Sequence, residues 1–443
     1  MNRKNDYIVK SVYRSFVFVS IMTAIVATAG MMIDNVVVGQ FLGTECLSAM
    51  GLVSPVSLVF SAGGNISSSG GDTMAARELG LGNKEKVCSI FSVTMLYTLV
   101  TGGILTIGGS IFAPQIAVWL GAKGHVVRPT LDYLRGFFLG AIPTIMMPAV
   151  MGFVKMDGSP SLPLLSMGVM SALDVVLDLM MALVFKKGMF GMALATTLSY
   201  FAAVAVGFIH FTRSYNSLRF VAPGELWKEL SEMVATGAPT AVNRICDTIK
   251  TIVFNNMMIV IAGTGAVAAL NVRTQVYNLV GSLIMGAGQA LMPVTALFYG
   301  EEDAGALTGS VKESIRIGMA LCAAAMAVLL LNPSFFSDIL GVKEDSIRMM
   351  ADVGIRFFAV SMPVRLMNVL CISFYQSTER NTHAMTASVF QAFAFTVAAA
   401  VILVKPFGVN GIFASFLVGE ILTFAYLTFY AGRKQGKFCL KIP

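Results

Sequence analysis

The 443-residue chain has little charge: Asp, Glu, Lys and Arg together make up 12% of it, while 56% is hydrophobic. A soluble domain carries about 25% charged residues, so the chain has about half of what a solvated surface needs, and an ordinary soluble enzyme is excluded. No lysine- or arginine-rich block is large enough to grip a phosphate backbone, which excludes nucleic acid as a partner. Six cysteines (46, 88, 246, 322, 371 and 439) are scattered without a CxxC pair. They fit neither a disulfide framework nor a zinc site and read as small buried hydrophobes. Three histidines, His125, His210 and His383, lie near the ends of apolar segments with no carboxylate at catalytic spacing, so no enzyme is expected. Nor is a cleavable leader, because residues 1–10 are polar and the apolar stretch after them is too long for one.

What the chain does have is long apolar runs. A membrane-spanning helix needs about 20 mainly apolar residues, and twelve segments qualify: 12–38, 50–76, 88–113, 130–154, 161–184, 189–212, 233–260, 271–298, 311–332, 350–373, 382–404 and 409–431. The expected fold is an all-α polytopic protein of the plasma membrane, seated in the lipid bilayer. Twelve spans put both termini on one side. That side holds 18 of the basic residues: Arg3, Lys4, Lys10, Arg14, Arg77, Lys84, Lys86, Lys155, Arg213, Arg219, Lys228, Lys312, Arg316, Arg380, Arg433, Lys434, Lys437 and Lys441. The opposite side holds seven: Lys123, Arg128, Lys186, Lys187, Lys343, Arg348 and Lys405. Lysine and arginine collect on cytoplasmic loops, so both termini are expected in the cytoplasm. The net charge of +7 then reports orientation rather than a partner.

The chain also matches itself at an offset of 220 residues. Gly43-Thr44 pairs with Gly263-Thr264, Ala49 with Ala269, Gly80 with Gly300, and Leu120-Gly121 with Leu340-Gly341. Lys123 pairs with Lys343, Phe137-Phe138 with Phe357-Phe358, Pro143 with Pro363, and Gly191 with Gly411. Two six-helix lobes related by an internal repeat are expected, 1–212 and 233–443, joined by a polar cytoplasmic linker over 213–232. Parallel repeats of this kind are a transporter architecture. Prolines in or near the spans and the clusters Gly63-Gly64, Gly70-Gly71 and Gly286/Gly288 are expected to mark bends.

Ionisable groups inside a span cost several kcal/mol, about 2.5 upward, and are functional candidates by default. In the first half these are Asp34 on helix 1 and Asp174 and Asp178 on helix 5, the last two sharing a face at i, i+4. At about 1.5 Å rise per residue they share one layer in the outer half of the membrane with Thr196 on helix 6. Such carboxylates cannot all stay ionised: one holds a proton or they share a cation, so an ion-coupling site is expected. The bland reading is that Asp34 caps helix 1 and that Asp174 and Asp178 bond to serines. The second half has a different polar set: Arg244, Asp247 and Lys250 on helix 7, Arg273 on helix 8, Arg365 on helix 10 and Glu420 on helix 12. A charge-balanced structural network is one reading of these. Substrate or gate contacts at Arg244, Asp247, Arg273 and Arg365 are the other.

Several runs resemble the multidrug and toxic compound extrusion (MATE) transporters. They are Asp34-Asn35-Val36-Val37-Val38-Gly39-Gln40-Phe41-Leu42-Gly43, Ala75-Ala76-Arg77-Glu78-Leu79-Gly80, Asp157-Gly158-Ser159-Pro160, Leu173-Asp174 with Leu177-Asp178, Ala195-Thr196, and Gly286-Ala287-Gly288-Gln289-Ala290 with Pro293. The resemblance covers nearly the whole chain and implies two six-helix lobes that export organic, often cationic, compounds in exchange for H⁺ or Na⁺. The site pattern is most similar to that of the DNA-damage-inducible and archaeal members. It places Asp34, Asp178 and Thr196 in the coupling site, with Asp174 where those members have Asn. Asp34 and Asp178 would ligate the ion if it is Na⁺, and no other cofactor is implied. Helix 1 lacks proline, so a proline-bent helix 1 is not carried over, and the acidic second-lobe site of the Na⁺-coupled members has no clear match, Asp247 being a weak candidate for it. The sequence thus reads as a monomeric antiporter for small-molecule drugs or organic cations, working by alternating access. Its rival within the same superfamily is a flippase for a lipid-linked oligosaccharide, its pyrophosphate held by Arg244, Arg273 and Arg365.

Overall fold

The computed structural model describes residues 13, 14, 16–23, 26, 30, 34, 37–42, 44–122, 124–214, 216–339 and 344–434. Among these there is no strand. Arg3, Lys4, Lys10, Lys123, Lys343, Lys437, Lys441, Cys439, Asn35, Val36, Gly43, Leu340 and Gly341 lie outside them, so their parts in the orientation, the repeat and the motif are sequence readings only. The described residues between 13 and 37 are helical (α1) and run into a π-helical turn, Val38–Leu42. Ten further helices cross membrane distances: Ala49–Gly80 (α2), Lys84–Trp119 (α3), Leu162–Val184 (α5), Gly188–Thr212 (α6), Leu226–Gly263 (α7), Gly265–Gly300 (α8), Ala304–Leu331 (α9), Asp345–Ser377 (α10), Asn381–Phe407 (α11) and Val409–Phe429 (α12). The remaining span, α4, is a pair, Gly124–Leu139 and Ala141–Met156, bent by 44°.

Most helices outrun the segments predicted from hydropathy. α3 has 36 residues and α7 has 38, against the roughly 20 that cross the hydrocarbon. Apolar runs report only the lipid-facing middle, while the helix continues into water on intrahelical hydrogen bonds. For this reason α7 starts at Leu226, inside the stretch expected to be linker. The break expected between the spans 382–404 and 409–431 falls at Gly408, where φ is +56°. The bend in α4 lies at Gly140, ahead of Pro143 and Pro148. Gly286 and Gly288 sit in a continuous helix, and a Cβ at Gly288 would meet Val369 Cγ1 at 2.6 Å, so that glycine serves close packing rather than bending.

The repeat is visible in the backbone. Asn83 caps α3 by accepting from the Lys86 N–H, and Asp303, 220 positions on, caps α9 by accepting from the Ala306 N–H. Gly82 and Glu302, the residues before those caps, both take positive φ (+75° and +55°), as do Gly188 and Gly408 (+58° and +56°). The chain divides into two compact units. One is Phe18–Ala241; the other takes the described residues from Val242 onward together with those up to Val17. The start of α1 belongs to the second unit because Arg14 donates from Nε and Nη2 to Glu313 Oε1 (2.9 and 2.7 Å) and the Tyr13 hydroxyl reaches Ala287 O at 3.4 Å. The start of α7 belongs to the first, through Arg77–Glu232 at 2.6 Å and Ser89 Oγ donating to Glu229 Oε2 at 2.7 Å.

In the first unit α6 packs on α4 and α5, and α3 on both halves of α4; in the second α10 packs on α9, α11 and α12. Small residues set these approaches. A Cβ at Gly102 would lie 2.6 Å from Ile142 Cα, while one at Gly103 meets nothing within 4 Å. Gly102→Ala should therefore lower stability by about 1–3 kcal/mol, and Gly103→Ala should leave it unchanged or raise it by about 0.5–1 kcal/mol. Melting temperatures of the purified variants in detergent check this.

Candidate functional site

In the first unit, α1 is brought onto α5 at Gly30, whose Cβ direction points at Ser171 Oγ 3.4 Å away. One turn further along α1, the Asp34 carboxyl faces Asp178 within hydrogen-bonding reach, with Asp174 close enough to act on both electrostatically. Asp174 and Asp178 are buried, and Asp34 is half-buried. Thr196 and Ser199 on α6 lie with their hydroxyls near Asp174, each proton being given in this arrangement to its own helix, at Met192 O (3.3 Å) and Ala195 O (2.9 Å). The four residues singled out in sequence therefore do meet. Among the described residues, Asp34 is itself helical, and serine reaches Asp174 but not Asp178.

Among the described residues, no N–H or O–H serves Asp34 Oδ1, Asp174 Oδ1 or either oxygen of Asp178, and no lysine or arginine acts on the trio. Two carboxylates are both acceptors, so the Asp34–Asp178 contact is a hydrogen bond only when one of them carries a proton. Among the described residues, no three carboxylate, imidazole or thiol groups converge so as to hold a metal ion. Sequence reasoning missed the tyrosines Tyr133 and Tyr200, which lie within electrostatic range of the same acids. It also missed Asp72 on α2, which faces Lys155 on α4. The rule that flagged Asp34, a carboxylate inside a span, applied equally to Asp72. Lys155, counted above as a loop charge, sits in the last turn of its helix.

Backbone geometry marks these positions. π-helical turns occur at Val38–Leu42, Ile66–Gly70, Met180–Val184 and Phe390–Ala394. The first three lie within four residues of Asp34, Asp72 and Asp178, and the fourth contains Gln391. Single π turns interrupt helices frequently at functional sites.

The second unit has the opposite sign. Arg365 donates to Glu420 Oε1 at 2.6 Å and to the Tyr277 hydroxyl, and Lys250 pairs with Asp247. Glu420 also accepts from Asn368 (2.7 Å) and Gln391 (3.0 Å). Arg273 lies 3.7 Å from the Phe416 ring centre, with Tyr277 and Phe358 at 5.1 and 5.3 Å. Arg244 is exposed and acts on Asp247 and Tyr277 only through its charge. The charge-balanced network expected from sequence is not found: three buried cations (Lys250, Arg273, Arg365) face two carboxylates, and Arg273 is the cation left over.

One expectation about histidine is corrected. His210 Nε2 lies 2.7 Å from Asp157 Oδ2 and its Nδ1 lies 2.9 Å from Ser159 Oγ. These residues are far apart in sequence, and the fold of the α4–α5 loop brings them together. The group is a clamp: Arg213 donates to Ser159 Oγ at 3.2 Å, and Ser217 donates its N–H (2.9 Å) and hydroxyl to Asp157.

Two repeated helical lobes with intramembrane charges in each define a polytopic membrane transporter rather than an enzyme. The MatE family model matches the chain twice, over residues 20–180 and 239–402, with starts 219 residues apart, as the repeat requires. The chain belongs to this family of multidrug and toxic compound extrusion transporters. It is 24% identical over 390 residues to the multidrug export protein MepA of Staphylococcus aureus strain N315 (87% of this chain, 85% of that one). The MepA of Staphylococcus saprophyticus is 26% identical over 392 residues (86% and 84%). Among solved structures, a MOP-superfamily transporter from Pyrococcus furiosus superposes with a TM-score of 0.88 at 21% identity (96% of this chain, 95% of that one). A MATE protein in complex with MaL6 superposes at 0.89 and 21% (96% of each).

The two arginines of the second unit should respond oppositely to removal. Arg365→Met strands Glu420 and is expected to cost about 3–5 kcal/mol, while Arg273→Met strands no partner and should leave stability unchanged or raise it. Thermal unfolding in detergent reads both.

Proposed function

We propose that the protein is a drug–proton antiporter that exports organic compounds from the cell by alternating access, with Asp34 and Asp178 as the proton-carrying pair and Asp174 and Thr196 supporting them. The observation that carries this reading is a carboxyl pair on which no described lysine or arginine acts, in a chain of the extrusion family. The pair needs a proton to stay together, so loading and losing that proton biases two arrangements of the lobe. Small organic molecules are the substrates, as the names of the MepA relatives suggest for those proteins. A proton is favoured over Na⁺ because the Asp34–Asp178 contact is a hydrogen bond only when one of the two acids is protonated. The protein works as a monomer in the plasma membrane, with both termini cytoplasmic and lobes 1–212 and 233–443 joined through 213–232.

A flippase for a lipid-linked oligosaccharide would use Arg244, Arg273 and Arg365 on a pyrophosphate. Arg365 is already engaged by Glu420 and Arg244 is exposed, which leaves Arg273 alone for that task.

In proteoliposomes loaded with a fluorescent cationic dye, an imposed pH gradient should drive dye movement and a Na⁺ gradient at equal pH should not. Asp34→Asn and Asp178→Asn should each abolish the pH-driven flux, with at least a tenfold loss. Full flux in both variants overturns the assignment, and flux driven by Na⁺ alone overturns the choice of ion.

A further inference from the structure

We propose that the second unit binds the anionic group of an aromatic organic acid at Arg273, the ring of that acid lying among Phe416, Tyr277 and Phe358. This deepens the reading of the second-unit residues as substrate contacts and rests on it.

Arg273 is 5% exposed, and its Nε is enclosed with no acceptor. The carboxylates around it are spoken for. Glu420 takes donors from Arg365, Asn368 and Gln391, and Asp247 pairs with Lys250. Aromatic rings surround the guanidinium instead, and ring faces attract a cation without neutralising it. A buried cation kept without a counter-charge is costly to the fold, and a hydrophobic side chain of similar size would serve packing better. The missing partner is therefore supplied from outside the protein. Its chemistry follows from the geometry. A guanidinium covered on its face by Phe416 offers its in-plane N–H fork, which matches a planar carboxylate in two parallel hydrogen bonds. The three rings then give an aromatic body attached to that carboxylate an apolar seat. A lipid phosphate offers the same charge, so the two sources must be told apart.

The probe is 2-naphthoate, titrated by calorimetry against the full-length protein in phosphatidylcholine nanodiscs with no ion gradient, so that the result does not depend on whether proton coupling is correct. Saturable binding is expected, with affinity at least tenfold weaker in Arg273→Met. Arg273→Lys should fall between the two, because it keeps the charge and loses the fork. Arg273→Gln replaces the Met variant if that protein does not fold. The cationic analogue 2-naphthylmethylammonium should bind at least tenfold more weakly than naphthoate to the wild-type protein. Gly103→Ala, whose Cβ would meet nothing within 4 Å, should leave naphthoate affinity unchanged. If phosphatidylglycerol nanodiscs weaken naphthoate binding to the wild type and not to Arg273→Met, a lipid headgroup also occupies the site and the anion assignment stands. Equal naphthoate affinity in the wild type and Arg273→Met, or equal affinity for the cationic analogue, overturns the proposal.

Discussion

Charge buried in a lobe without an opposite charge beside it is the constraint around which both units are arranged. Taking an ion out of water costs several kcal/mol even after the protein relaxes, and such a cost persists only where something else compensates it. In the first unit the uncompensated charge is negative, a cluster of three acids with no cation acting on it. In the second it is positive, because Lys250, Arg273 and Arg365 outnumber Asp247 and Glu420. The neighbouring polar groups make sense only against these surpluses. The Ser199 and Thr196 hydroxyls lie beside Asp174, and Asn368 and Gln391 donate to Glu420 alongside Arg365.

The helices carry these charges by giving up regularity beside them. A π turn widens the helix by one residue and frees a carbonyl from the regular ladder. Here such turns follow Asp34 and Asp178, precede Asp72 and contain Gln391. The same segments touch: Val38–Leu42 packs on α6 and on Met180–Val184. A site assembled at helix irregularities can rearrange at lower cost than one set in unbroken helix, which suits the gain and loss of a proton proposed for Asp34 and Asp178. Outside these points the units are tightly fitted, as the close approach of Gly102 to Ile142 illustrates.

Much of the fold was legible in the chain because lipid imposes a coarse rule. Apolar length announces each span, and the 220-residue offset announced two copies that the backbone then repeats in its caps and positive-φ residues. Span ends were misjudged, since hydropathy stops at the water boundary and the helix does not. The acids of the first unit were legible for a similar reason: a carboxylate within an apolar run stands out, and i, i+4 spacing places two of them on one face. Asp72 and its partner Lys155 escaped notice, one uncounted inside a span and the other assigned to a loop.

The few charges along the chain thus divide into two kinds. Sequence alone assigned most of the basic residues to loops, from which an orientation is expected, and marked out charges inside the spans, because both readings depend only on position relative to an apolar run. Whether a span charge is satisfied could not be read that way. Arg365 and Arg273 look alike in sequence, yet one meets Glu420 across 55 positions and the other meets only rings. His210 looked solitary until the α4–α5 loop brought Asp157 and Ser159 to it. Pairing depends on distances of about 3 Å between side chains on different helices, and only the packing of those helices decides them.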